Sequence, residues 1–152
     1  MFLANTKKCL RIFSRVYVSS DDPWILDEAE WAGAIPIKRG EELCGETPNI
    51  PVYQHALGYM NGVDGIVAVQ SNSPNINSKL IETAKELLEK GYKEIMTMHP
   101  DGKIYGSIWA IERRKLEGYK DFYNPKPDVL ILDTSEDIHN DEDFLLAEKN
   151  AK

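Results

Sequence analysis

The sequence has few cysteines and histidines, and those it has follow no disulfide or metal-binding pattern. Cys9 and Cys44 are its two cysteines, no CxxC occurs, and the three histidines are scattered. We therefore expect neither a disulfide scaffold nor a structural zinc site, and we predict that both cysteines are reduced.

Long apolar runs and an excess of positive charge are also missing. No stretch approaches the ~20 apolar residues of a membrane span, and the opening MFLANTKKCLRIF lacks the apolar core of a secretory signal. We expect a cytoplasmic protein with no membrane partner.

The 18 basic against 25 acidic residues give a net charge of −7, which excludes nucleic acid as an expected partner because its binding depends on neutralising many phosphates. A single nucleotide needs only a local positive patch and stays compatible.

Two nucleotide-binding motifs are absent. The sequence contains neither GxxxxGK[ST] nor GxGxxG, so neither a P-loop nor a dinucleotide fingerprint is expected. Any nucleotide site must be built in another way.

Short apolar runs alternate with amphipathic ones along the chain, which predicts one α/β domain over residues 1–152. The predicted strands are 16–18, 34–37, 65–70, 94–98, 103–111 and 129–132, and the predicted helices are 23–31, 50–59, 78–90 and 140–149. The continuous apolar run 66–69 is typical of a strand buried on both faces, so we place it centrally in a mainly parallel sheet. Trp24, Trp31 and Trp109 fall at apolar positions and are expected in the core.

Polar segments follow three of the predicted strands, at 19–22, 70–77 and 133–143. Ligands of open α/β sheets bind beyond the carboxyl ends of strands. Ser, Asn and Pro in 71–74 are equally typical of a helix-initiating turn, and composition favours that interpretation. Six acids lie within 133–143; they could hold Mg²⁺ against a polyphosphate, or complement the dipole of the final helix.

Several ordered segments together resemble one enzyme family. VYVSSDDPWILDEAEWAGA, KRGEELCGETP, VAVQSNSPNI, YGSIWAIERRKL and DIHNDEDFLLAE resemble the acylneuraminate cytidylyltransferases, which include the CMP-sialic acid synthetases, in order and approximate spacing from Arg15 to Glu148. The resemblance implies a Rossmann-like, three-layer fold of the nucleotide-diphospho-sugar transferase type. It also implies a reaction in which the anomeric hydroxyl of an acidic nonulosonic sugar attacks the α-phosphate of CTP, releasing pyrophosphate with Mg²⁺.

The same resemblance assigns roles to individual residues. Arg39 and Asp137 are the implied catalytic residues, and Asp137 with His139, which replaces a second aspartate, is the implied metal pair. Six residues are implied to bind substrate, namely Asp21, Asp22, Arg39, Gln70, Ser73 and Gly106. CTP and an acidic sugar are the implied partners, and a homodimer is compatible with the family.

Two departures from the family pattern bear on activity. Relatives open with a β-strand and a phosphate-binding loop that the sequence printed here does not contain, and the stretch between Met98 and Lys103 is short where relatives carry a longer excursion. We therefore expect a fold with its first strand missing, and a truncated relative that is weakly active alone. The alternative is a non-catalytic binding or interaction module derived from that fold. A sugar-nucleotide glycosyltransferase is a further rival, but Gln70-Ser71-Asn72 is not the D-x-D that it would need.

Overall fold

The computed structural model describes residues 2–73 and 75–134, which form six helices and six strands when a short 3₁₀ turn, Glu41–Leu43, is included. The α-helices are α1 (Phe2–Ile12), α2 (Pro23–Ala32), α3 (Asn49–Leu57), α4 (Ser78–Glu89) and α5 (Arg113–Glu117). The strands are β1 (Tyr17–Ser20), β2 (Ile35–Lys38), β3 (Gly65–Val69), β4 (Glu94–Met98), β5 (Ile104–Glu112) and β6 (Val129–Leu132). The predicted helix 140–149 lies outside the described residues.

Local signals set the ends of the helices. Asp22 caps α2 by accepting a hydrogen bond from the Trp24 N–H at 2.9 Å, and Gly33 ends the helix with φ of 103°. Asn77 caps α4 in the same way, and Gly91 follows it with φ of 106°. Short polar caps and glycines in the left-handed region are the usual helix boundaries, so the sequence located both helices to within a residue or two.

The strands form two separate sheets. β1 and β2 pair in parallel, while the second sheet has the order β3-β5-β4-β6. In that sheet β5 is antiparallel to both β3 and β4, and β4 is parallel to β6. A tight turn joins β4 to β5, with the His99 N–H bonded to the Lys103 carbonyl at 2.9 Å, and strands joined by such a turn must be antiparallel.

The arrangement of the sheet corrects one sequence prediction. The fold class is α/β as expected, but the four-stranded sheet is mixed, and the run 66–69 is not central in it. β3 is an edge strand whose one ladder partner is β5. The hairpin explains the difference, since it inserts β5 between β4 and β3. The other edge of β3 faces β1, and no described strand lies between them.

Two apolar clusters give the molecule three layers. On one face of the four-stranded sheet, α1 and α4 pack against alternate strand residues; the cluster includes Cys9, Ile81, Ile95, Ile108 and Ala110. On the other face, α3 and α5 cover the remaining alternate residues; that cluster includes Ile50, Leu57, Trp109, Ile111 and Leu116. Because successive strand side chains point to opposite faces, both faces of β5 are buried.

The tryptophan prediction was right for one residue of three. Trp109 is 5% exposed, whereas Trp24 is 62% and Trp31 88% exposed. Ala29 is the fully buried residue of α2, and Trp31, two positions later, points to the opposite side because successive residues are 100° apart around a helix.

Candidate functional site

A cavity of about 900 Å³ lies between the two sheets. We call it the inter-sheet cavity. Strands β1 and β3 form its side walls, α1 lies on one side of the sheet plane, and α3 lies on the other. Ligand sites of α/β proteins lie beyond the carboxyl ends of strands, and both walls end in polar residues.

The carboxyl ends of β1 and β3 form the polar end of the cavity. Its polar lining residues are Asn5, Ser19, Arg39, Thr47, Asn49, Tyr53, Gln70 and Ser71. Of the described residues that line this end, Arg39 alone is charged; the remaining charged lining residues, such as Asp64, Lys85 and Glu112, belong to segments at the amino ends of the strands. The polar end therefore favours an anion.

Arg39 follows β2 and is held in place by its backbone. Its N–H donates to the Ser20 carbonyl at 3.1 Å, which continues the β1–β2 ladder. The Nε of Arg39 and the Oγ of Ser19 are both buried, and neither atom has a hydrogen-bond partner among the described residues. Unpaired buried polar atoms are uncommon in native proteins, and at the mouth of a cavity a ligand is the natural partner.

Gln70 follows β3 and has its side chain held by Tyr53. Its Nε2 donates to the Tyr53 hydroxyl oxygen at 3.2 Å. Burial raises the pKa of Tyr53, and the hydrogen bond from Gln70 opposes that rise only in part, so the phenol stays protonated. The Oε1 of Gln70 is a hydrogen-bond acceptor, which suits the amino group of a base or a sugar hydroxyl.

Asn5 joins Gln70 to Ser73. The Asn5 side chain is 3% exposed, and its Nδ2 donates to the Gln70 carbonyl at 2.7 Å and to the Ser73 carbonyl at 3.0 Å. Ser73 is fully buried, and its Oγ has no partner among the described residues. Asn5 and Tyr53 were missed in the sequence, because the residues that they contact lie 17 to 68 positions away in the chain.

The predicted site residues are only partly brought together. Arg39 and Gln70 line the same cavity, and Ser73 adjoins it through Asn5. Asp21 and Asp22 are exposed at the start of α2, where Asp22 serves as the helix cap.

Gly106 lies in β5, away from the residues that line the cavity. A Cβ at this position would lie 3.3 Å from the Trp109 ring and 3.5 Å from the Met96 methyl, so close packing accounts for a glycine here.

The predicted metal ligands, Asp137 and His139, lie outside the described residues. Among residues 2–73 and 75–134, no group of three or more His, Cys, Asp and Glu side chains is arranged to hold a metal ion. The described residues by themselves therefore do not fit a Mg²⁺ site.

No described helix combines the length and apolar character that crossing a bilayer requires.

The chain is a layered α/β fold with a polar cavity at the carboxyl ends of two strands. No protein-family model matches the sequence, and neither does any curated protein. Solved structures do match. CMP-2-keto-3-deoxy-manno-octonic acid synthetase complexed with CTP superposes with a TM-score of 0.73 at 12% identity, covering 97% of this chain and 88% of that one. A Mycobacterium tuberculosis H37Rv protein in complex with manganese superposes with a TM-score of 0.69 at 11% identity, covering 97% of this chain and 85% of that one.

A third solved structure also matches. The 4-diphosphocytidyl-2C-methyl-D-erythritol synthase of Anaerococcus prevotii DSM 20548 superposes with a TM-score of 0.61 at 13% identity, covering 96% of this chain and 85% of that one. These likenesses establish the fold, which is the one that the sequence resemblance implied.

Proposed function

We propose that this chain is a nucleotidyltransferase-type domain that binds CTP at the polar end of the inter-sheet cavity. The observation that carries the proposal is the buried Nε of Arg39, which has no hydrogen-bond partner within residues 2–73 and 75–134. The Arg39 side chain is also the lone charge among the described residues at that end. The N-terminus of α3 adds to it, because Asn49 lines the cavity and the free N–H groups of a first helical turn favour anions.

The proposed reaction transfers a cytidylyl group to an acidic sugar. The anomeric hydroxyl of the sugar attacks the α-phosphate of CTP, the new sugar–phosphate bond forms, and pyrophosphate leaves. Arg39 neutralises phosphate charge, while Gln70 and Ser73 orient the nucleotide. The substrate-binding roles of Asp21, Asp22 and Gly106 are proposed from the resemblance alone. A divalent cation, Mg²⁺ in the proposal, would be held by Asp137 and His139. Two neighbours support nucleotide and metal use, since one was solved with CTP and another with manganese.

We expect slow catalysis by this chain alone. CTP carries about four negative charges, and phosphoryl transfer depends on several positioned donors and cations. The described residues offer one cation at the polar end. Losing a single such donor typically costs ~10²- to 10³-fold in rate.

A pair of adjacent charge-removing variants tests the binding site. Arg39→Met removes the cation inside the cavity, and Lys38→Met removes an exposed cation one position earlier that does not line it. A hydrogen bond to a charged group contributes about 1.5–3 kcal/mol, so Arg39→Met should weaken CTP binding by roughly 10- to 150-fold. Lys38→Met should change it less than about twofold. Calorimetric titration with CTP measures both, and equal losses in the two variants would contradict a specific site.

Turnover is measured separately, as pyrophosphate release from CTP with eight- and nine-carbon acidic sugars, with and without Mg²⁺. We expect a rate far below the ~1 s⁻¹ of ordinary enzymes, and a rate at or above it would refute the weak-activity proposal.

The second candidate function is a non-catalytic interaction module, which the separation of the two sheets favours. Absence of CTP binding in the unmodified chain would select it.

A further inference from the structure

Helix α2 exposes two tryptophans on its outer face. Trp24 and Trp31 are both largely exposed, and they lie about two helical turns apart, so their rings are on the same side of the helix. Asp27 lies between them on that side and is exposed, whereas Ala29 on the opposite side is fully buried. Large apolar side chains that share an exposed face mark interaction surfaces more often than single ones do. The outer face of α2 is therefore a candidate interface.

The outer faces of α1 and α2 carry opposite charge. Residues 1–15, which include α1, contain four basic residues and no acid, whereas residues 21–32, which include α2, contain five acids and no base. Lys7 and Arg11 lie one turn apart on α1 and are exposed, and Asp27 and Glu30 are exposed on α2. None of these four side chains forms an ion pair with another described residue. Both faces thus present charge to a partner.

The two helices lie side by side and run in the same direction. At their first turns, the rings of Phe2 and Trp24 meet edge to face, with centroids 6.4 Å apart. At their last turns, a methyl of Leu10 lies 4.0 Å from the position that a Cβ on Gly33 would take. The buried side chains of both helices face the interior. The outer faces therefore form one continuous surface, basic along α1 and acidic along α2, which we call the two-helix surface.

The charges on the two-helix surface favour a second copy of this chain in one orientation. A two-fold axis between the helices, along their common direction, lays α1 of each copy on α2 of the other, so unlike charges meet at two symmetric places. An axis across the helices would lay α1 on α1 and α2 on α2, where like charges meet. An anionic bilayer would meet the same repulsion at α2.

We propose that this chain forms a two-fold symmetric dimer through the two-helix surface, with α1 of each copy on α2 of the other. Because the helices begin level with each other, Lys7 of one copy comes opposite Asp27 and Glu30 of the second copy. Arg11 comes beside Trp31 of the second copy, where a guanidinium over an indole ring is attractive. Four tryptophans can bury about 150–250 Å² each, roughly half of the area of about 1,200–2,000 Å² that a specific interface buries.

Charge variants of the full chain, measured by sedimentation, test the pairing. Lys7→Glu with Arg11→Glu makes both outer faces acidic, and this variant should be monomeric. Asp27→Lys with Glu30→Lys makes both faces basic, and it should be monomeric as well. An equimolar mixture of the two should form a one-to-one heterodimer, because each acidic helix then meets a basic one. All four substitutions in one chain restore opposite charges and should restore the dimer. Monomers in both of these last samples would overturn the proposal.

A tryptophan variant tests the apolar part of the interface. Trp31→Ala should raise the dimer Kd by about 30-fold or more, as loss of a central interface tryptophan does. Tyr123→Ala is the matched control, because Tyr123 is also a largely exposed aromatic residue but lies between α5 and β6. It should change the Kd less than about twofold. Equal effects of the two variants would contradict an interface at α2.

The unmodified chain gives the baseline, and it is measured without CTP so that the outcome is independent of the proposed function. Its dimer Kd should rise between about 0.1 M and about 1 M NaCl, because salt screens exposed charges. A chain that stays monomeric at about 100 μM, above the micromolar Kd of weak specific interfaces, would overturn the proposal. If that monomer bound a synthetic lysine-rich amphipathic helix and Trp31→Ala abolished the binding, the two-helix surface would belong to a different protein.

Discussion

Glu94 is a buried charge whose removal should strongly destabilise the fold. Its carboxylate is 0% exposed, and one oxygen accepts from the Trp109 Nε1 at 2.8 Å and the Tyr119 hydroxyl at 3.1 Å. The other oxygen lies 2.8 Å from the Lys115 ammonium. The Glu94→Ala variant leaves all three donors without this acceptor. Breaking a buried ion pair by removing one partner typically costs about 3–5 kcal/mol.

Glu112 provides the matched control, because it is also a strand glutamate paired with a lysine. Its partner is Lys93, and the two side chains are 27% and 56% exposed. Exposed ion pairs contribute about 0–1 kcal/mol, so Glu112→Ala should cost little. Glu94→Gln keeps an oxygen for Trp109 while losing the ion pair, and should fall between the two.

Thermal and urea unfolding measure the three variants side by side. For a chain of this size 1 kcal/mol corresponds to roughly 2–4 °C in Tm, so Glu94→Ala should lower Tm by roughly 6–20 °C. The reasoning is refuted if Glu94→Ala and Glu112→Ala lose equal stability, since burial would then not decide the cost.

Two further predictions concern α1. Replacing Asn5 by alanine removes the donor to the Gln70 and Ser73 carbonyls and should lower the free energy of unfolding by about 1–3 kcal/mol; a loss below about 0.5 kcal/mol in urea titration would argue against this role. Burial raises the pKa of Cys9 from 9.0 to about 11, so the unfolded chain releases this proton at lower pH than the folded one. Stability present below pH 9 should therefore be lost towards pH 11, by about 2 kcal/mol between pH 8 and pH 10.5. Urea titrations of the unmodified chain and Cys9→Ala at both pH values check this, and an identical pH dependence in the two proteins would contradict it.

The sequence predicted those elements whose signals are local. Asp22, Pro23 and Gly33 lie at the ends of α2, and the turn at His99–Gly102 produces the β4–β5 hairpin within a few residues. The alternation of predicted strands and helices along the sequence predicted the α/β fold class. These features depend on neighbours in sequence, where capping and turn preferences act.

Features that depend on distant partners were not predictable in this way. The apolar run of β3 indicated burial on both faces, and its residues are half-buried and pack against both apolar clusters. The place of a strand in a sheet, however, depends on which other strands pair with it. Arg39 and Gln70 were found through the family resemblance, while Tyr53, which orients Gln70, carries no motif. Trp31 shows that the apolar character of a residue does not by itself place its side chain on the buried face of a helix.

Because the two sheets are separate, the chain divides into two folding units. Each ladder closes within one stretch of chain, 17–38 for β1 with β2 and 65–132 for the other four strands, so neither needs the other to complete its hydrogen bonds. Cooperativity between the halves is carried by side-chain packing, chiefly through α1, which packs on both α2 and α4. A two-stranded sheet is marginal by itself. The N-terminal half is therefore the unit that opens first in native-state fluctuations, while the four-stranded half keeps its structure.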